Sequence, residues 1–275
     1  MLKLTDNNKL LMVTVLAVTL SACHDKPEPA EQQKTSPAAV KPVVNPDILP
    51  YLNEQDVLIP LTGARCKARN CDQIRLQSIE TVDSALNLYV QQWVSSILQD
   101  LLANEQQVSL QQAVKNYVKK SNQWQAEFAL NQAYQLDLSI KVAYQHNQYV
   151  LLQSIVNAKQ EELLIEDRGY FSVFDRKQKK QLQLDEILAK NQHNDFERML
   201  QTEYQKWLRA QSKEVKLLAP QQLQWKQQEW FFDGQGIGVH FRANQIAKGA
   251  KQLDIFFSPA QTKQLLQPAV YQKMF

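Results

Sequence analysis

The sequence predicts an α+β fold, a mostly antiparallel sheet with helices packed on it, and three observations predict it. Tyr134, Leu136, Leu138, Ile140, Val142 and Tyr144 occupy alternate positions without a break, the period-two pattern of a strand with one buried face. Leu86, Tyr89, Val90, Trp93, Ile97 and Leu101 instead recur at spacings of three and four, the stripe of an amphipathic helix. Strand-like and helix-like segments come in groups rather than alternating one by one, which favours segregated layers over a parallel α/β sheet.

The elements follow in order. Residues 57–62 and 74–79 are predicted short strands. A helix is predicted over 82–102, with Trp93 on its core face, and a second over 110–121, where Ser109 and Gln112 form a capping pair ahead of Ala113, Val114, Tyr117 and Val118. The strand over 134–144 turns at His146-Asn147 and returns over 149–156 as a hairpin. Segments 163–165 and 170–174 continue the sheet. A charged turn over 176–180 leads to a strand over 181–184, and Asp185 then caps a turn holding Ile187 and Leu188. A third long helix is predicted over 194–211. Residues 229–232 and 237–241 bracket Asp233-Gly234-Gln235-Gly236, a hairpin turn. A short apolar strand over 253–257 precedes Ser258-Pro259, a capping serine with proline at the first helical position. The glycines at 234, 236 and 238 read as turn glycines, since a phosphate-cradling loop would open a helix.

The chain ahead of residue 51 is of another kind. Leu10–Leu20 is apolar apart from threonines and follows Lys3 and Lys9. This run is about half the ~20 residues a membrane span needs and matches the core of a secretory signal. Leu20-Ser21-Ala22-Cys23 closes it and resembles the lipobox of bacterial lipoprotein precursors. The resemblance implies cleavage after residue 22 and fatty acylation of Cys23, so that the bilayer is a partner. Asp25 rather than residue 24 is the first acidic position behind the cysteine, which points to the outer membrane, with the periplasmic side favoured. Six of the ten prolines then fall within residues 24–50. Such a segment cannot bury enough apolar surface to offset its ordering entropy and serves as a semi-extended tether. The organisation is thus a signal peptide over 1–22, an anchor and tether over 23–50, and a folded part over 51–275, as one domain or two interlocked halves split near residue 130.

Cys66 and Cys71 are the cysteines left beyond Cys23. In an oxidising compartment this pair reads as a structural disulfide. The formal charge of +3 excludes the clustered basic face of a nucleic-acid protein, and the basic runs 65–69 and 176–180 read as solvated loops.

No constellation for catalysis stands out. The four histidines, His24, His146, His193 and His240, lack metal-spaced partners, and no metal or other cofactor is expected. Glu161, Glu162, Glu166 and Asp167 are the densest acidic group. Paired carboxylates can cleave glycosides when held ~5–10 Å apart, so a hydrolase built on Glu161–Asp167 is the alternative reading to a solvated loop. Trp225 and Trp230 are the aromatic candidates for a ligand surface, weighed against a place in the core.

The C-terminal stretch WFFDGQGIGVHFRANQIAKGAKQLDIFFSPAQTKQLL, with Ile246-Ala247 and Leu265-Leu266 at matching places, resembles the extracellular domain of RsiV-type proteins. FSVFDRKQKKQLQLDEIL resembles the strand–turn–strand upstream of it. The likeness covers residues 125–270. It departs where NAKQEELLIEDRG replaces the family's Gly-Gly-Ala-His segment and where Ala247-Lys248-Gly249-Ala250 replaces Ala-Pro-Tyr-Ala. The resemblance implies a non-enzymatic binding module, with a lysozyme-like protein or peptidoglycan as ligand.

Overall fold

Side-chain alternation and helix caps lay out the architecture of the computed structural model, which describes residues 49, 51–60 and 73–275. The leader, Cys23, the tether apart from Leu49, the basic run 65–69 and the Cys66–Cys71 pair lie outside the described residues. Among those described, seven helices accompany a six-stranded and a three-stranded sheet, an α+β fold.

The larger sheet runs β1 (Gln55–Leu58), β2 (Gln73–Glu80), β3 (Gln135–His146), β4 (Tyr149–Gln160), β5 (Leu163–Asp175) and β6 (Lys180–Gln181) in spatial order. All its pairings are antiparallel except β2 with β3. That parallel step has to cross over, and the crossing is made by α1 (Ser84–Leu101) and α2 (Leu110–Glu127). Asp83 starts α1 by accepting hydrogen bonds from the Ala85 and Leu86 amides, and Ser109 starts α2 by accepting from Gln112. Their apolar stripes meet the buried alternate positions of the sheet, so Leu86, Val90, Trp93 and Val94 pack with Leu136, Leu138, Ile140, Val150 and Leu152.

The opposite face of β4 and β5 buries Tyr149, Leu151 and Val173 in a second cluster. That cluster belongs to the C-terminal elements: α3 (Leu184–Ile187), α4 (His193–Arg209), α5 (Lys213–Leu218), β7 (Glu229–Asp233), β8 (Gly236–Phe241), β9 (Leu253–Phe256), α6 (Pro259–Leu265) and α7 (Pro268–Met274). β7, β8 and β9 form the antiparallel three-stranded sheet. Ser258 caps α6 with Pro259 in its first turn, as the sequence predicts, and Gln261 reaches back to complete a capping box. Both clusters thus share β4 and β5, one on each face, and the described residues belong to one compact unit.

Several local expectations need correction. Segments 163–165 and 170–174 form one strand, with Asp167 at positive φ and a register shift opposite Val156–Ala158 absorbing the polar gap. The strand over 181–184 stops at Gln181, because Leu184 already opens α3 and Gln183, not Asp185, holds the N-cap position. The short helices α5 and α7 escape the sequence pattern. The run 176–180 is not wholly a solvated loop: Arg176 is buried and its Nε lies 3.1 Å from Asp83 Oδ2. Gly238 is no turn glycine either. It sits within β8, where a Cβ would lie 2.2 Å from the Phe231 ring.

Candidate functional site

The two sheets meet where β7 and β8 approach the outer edge of β5. β6 pairs only with Phe174 and Asp175, so the preceding part of β5 has no neighbouring strand on that side. Side chains from the smaller sheet take its place. Glu229 Oε2 accepts from the Phe171 amide at 2.9 Å, and His240 Nε2 lies 3.2 Å from the Gly169 carbonyl oxygen. A carbonyl can only accept, so Nε2 carries a proton and donates. The other ring nitrogen, Nδ1, lies 2.6 Å from Asp254 Oδ1, while Gln252 donates to Oδ2 of the same carboxylate at 2.5 Å.

Arg242, at the end of β8, completes the junction. Its guanidinium lies 3.0 Å from Asp100 Oδ2 and 3.6 Å from Glu229 Oε1, and sits 4.4 Å from the centre of the Tyr170 ring. The Tyr170 hydroxyl donates to the same Asp100 oxygen at 2.8 Å. The last turn of α1, β5, β7 and β8 are thereby tied through one cation. Burial pushes the Glu229 carboxyl above the usual carboxylate range, against the pull of Arg242 and His240. Burial also works to raise Asp254, but its hydrogen bonds from His240 and Gln252 prevail and leave it below that range. A general base must reach a substrate proton with a free lone pair. Both nitrogens of His240 and both oxygens of Glu229 are engaged within the protein.

A cleft of about 570 Å³ opens beside this junction. Phe171 and Glu229 contribute to it from β5 and β7, Gln181, Gln183 and Asp185 from β6 and its sequel, and Lys226, Gln227 and Gln228 from the turn ahead of β7. Trp225 and Trp230, the aromatic ligand candidates of the sequence, are both 3% exposed. A ring so buried has no free face to stack on a sugar, which corrects that expectation. Their part is to hold the rims. Trp225 packs edge-on to Phe196 at 4.7 Å, donates to Glu197 Oε1 at 3.0 Å, and its carbonyl accepts from the Gln227 and Gln228 amides. Trp230 donates from its indole to the Leu182 carbonyl at 2.8 Å, between Gln181 and Gln183.

The acidic group lies elsewhere. Glu161 and Glu162 form the β4–β5 turn, and Glu166 and Asp167 follow on the exposed side of β5. Glu161 accepts from the Tyr134 hydroxyl at 2.8 Å and faces Lys120 at 3.7 Å. Of the four, Glu166 borders a hollow of about 530 Å³ on the open sheet face, between β2, β3, β4 and β5. His146 ends β3 and His193 begins α4. Among the described residues no three potential ligands gather for a metal, and no helix is long and apolar enough to cross a membrane. Sequence reasoning missed the Asp100–Tyr170–Glu229–Arg242 set. Its signal was a charged residue on the same face as Phe231 of an apolar strand, and another directly after the buried His240–Phe241.

These elements define an α+β protein with two apolar clusters sharing one hairpin. Solved structures with this architecture exist. A DUF3298 family protein from Pseudomonas aeruginosa PAO1 superposes with a TM-score of 0.55 at 14% identity, covering 82% of this chain and 96% of its own. A member of the DUF3298 family from Bacteroides fragilis superposes with a TM-score of 0.51 at 10% identity, covering 81% and 97%. No family model and no curated protein matches the chain. At these identities the likeness shows a shared fold, and the RsiV-type resemblance is compatible with it.

Proposed function

We propose that the chain is a lipid-anchored binding module of the cell envelope, RsiV-like in its folded part and without chemistry of its own. Leu20-Ser21-Ala22-Cys23 at the end of a short apolar run carries the reading. It is supported by the proline-rich segment behind it and by a fold shared with DUF3298 family proteins. Acylation at Cys23 fixes the module to a bilayer, since two or more chains make anchoring stable. Residues 24–50 hold it off the surface, on the periplasmic side of the outer membrane. Cys66 and Cys71 form a disulfide in that compartment. The ligand is a component met there, peptidoglycan or a lysozyme-like protein.

The test uses the full chain made in a Gram-negative cell. Mass spectrometry of the membrane-extracted protein gives a chain lacking residues 1–22 with added acyl mass. Cys23→Ser abolishes that mass and releases the protein from the membrane fraction. The extracted protein is then mixed with purified sacculi and, separately, with immobilised lysozyme. Retention by neither at micromolar protein, or unchanged membrane partition of Cys23→Ser, overturns the proposal.

A further inference from the structure

We infer that the cleft beside the β5–β7 junction is a saccharide site, taking a glycan of N-acetylhexosamine units. This names the ligand class within the envelope-binding role proposed above and rests on that reading. A volume of about 570 Å³ falls in the range of roughly 300–1,000 Å³ typical of small-ligand pockets. Four of the polar side chains lining it are amides, Gln181, Gln183, Gln227 and Gln228. Among the described residues, the side-chain amides of Gln181 and Gln227 have no partner within the protein. Gln228 spends only its oxygen, which accepts from Gln245 at 2.7 Å, and so keeps its amide hydrogens for the cleft. Each free amide offers donors and an acceptor side by side, the complement of a hydroxyl or acetamido group, which also does both.

Charge narrows the ligand further. Lys226 and Asp185 oppose one another in sign across the lining, and Glu229 faces Arg242 at 3.6 Å. A phosphate or other strong anion would need clustered cations, which this lining lacks. A protein partner would want an exposed aromatic or arginine anchor, whereas Trp230 is buried and Phe171 half-buried. Phe171 is wedged between His240 and Phe231, at 4.9 and 5.2 Å between ring centres. The part of its ring that remains uncovered is an apolar facet suited to the C–H groups of a pyranose. Both rims are fixed in advance by the two indole hydrogen bonds described above, so little ordering cost remains on binding.

The experiment titrates chitotetraose, the N-acetylglucosamine tetramer, into the detergent-extracted full chain by calorimetry, beside Gln181→Ala/Gln227→Ala. Circular dichroism and Tm confirm that the variant is folded. Binding by the parent, weakened tenfold or more in the variant, and parallel loss of sacculus retention are the expected results. A variant that binds chitotetraose and sacculi like the parent overturns the cleft assignment and leaves the envelope role standing. Retention on lysozyme with no response to chitotetraose also overturns the saccharide site, in favour of a protein partner. No retention of the parent by sacculi, chitotetraose or lysozyme overturns both readings. Should the double variant unfold, Gln227→Glu, which keeps the shape and replaces the amide by a carboxylate, carries the same expectation.

Discussion

Gly236 opens β8 where that strand meets the start of α6, and space rather than backbone conformation requires it. A Cβ there would lie 2.3 Å from the Phe257 carbonyl oxygen and 2.8 Å from Thr262 Oγ1. The carbonyl cannot rotate away. Phe257 N donates to Ile237 O at 2.9 Å, Ile237 N donates to Thr262 Oγ1 at 3.2 Å, and that hydroxyl donates to Phe257 O at 3.1 Å. Restoring ordinary contact means backing the two segments apart by roughly 1 Å from the 2.3 Å approach, which stretches all three bonds. Overpacking of this kind costs ~1–3 kcal/mol, and partial weakening of the three hydrogen bonds adds about 2 kcal/mol. The narrower unfolded state of alanine returns about 0.4–1 kcal/mol. Gly236→Ala is therefore expected to lose ~2–5 kcal/mol, read from urea unfolding followed by tryptophan fluorescence. Gly249→Ala is the control. Its φ is +78° and its nearest neighbour is Val215 Cγ2 at 3.8 Å, so only left-handed strain of about 1–2 kcal/mol applies. A Gly236→Ala protein as stable as its parent, or less affected than Gly249→Ala, refutes the steric reasoning.

Three further expectations concern charge. Asp83 both caps α1 and faces Arg176, with side chains only 17% and 7% exposed. Asp83→Ala should cost ~3–5 kcal/mol in urea unfolding, and Arg176→Met less, since Asp83 keeps its helix amides; equal costs contradict the account. Because burial holds Glu229 above its unfolded value of about 4.3, ionising it costs stability. The parent should lose stability relative to Glu229→Gln as pH rises from about 4.3. A difference that grows in the parent's favour over that rise is the contrary result. Burial also pushes the Tyr89 and Tyr149 hydroxyls up to about 12, the short Tyr89–Ser172 hydrogen bond acting in the opposite sense. Their contribution is intact below about pH 10 and is lost as pH rises toward 12. Ultraviolet titration of the folded protein should show them ionising only with unfolding; Tyr89→Phe removes one such late transition.

The long elements were legible because each has one wet and one dry face. β3 alternates almost without exception, and α1 carries its stripe from Leu86 to Leu101. The caps at Ser109 and Ser258 were legible for the same reason that they work, a hydroxyl placed before an amide with no partner. In the sequence β5 reads as two pieces because its middle, Glu166–Arg168, is polar on both faces at the exposed end of a hairpin. α5 and α7 bury only Val215 and only Met274 respectively, too little to print a period. The junction was hidden for a different reason. Asp100, Tyr170, Glu229 and Arg242 come from four separate elements, and only the packing of one sheet across another joins them. The two tryptophans stand out in the sequence as aromatics, while the groups they position, Gln181 and Gln227, are among the least conspicuous residues in a glutamine-rich chain.

A strand flank left bare is an invitation to any other extended chain, including a second copy of the same molecule, and neighbouring copies could zip into fibres along it. Here the amide of Phe171 and the carbonyl of Gly169 are already spoken for by a carboxylate and an imidazole. Side chains cannot propagate the ladder as a backbone would. The truncation Glu229→Ala, which unlike Glu229→Gln leaves no oxygen to accept from the Phe171 amide, would therefore do more than loosen a joint: it would expose a sticky seam, and many copies held close together would be the first to reveal it.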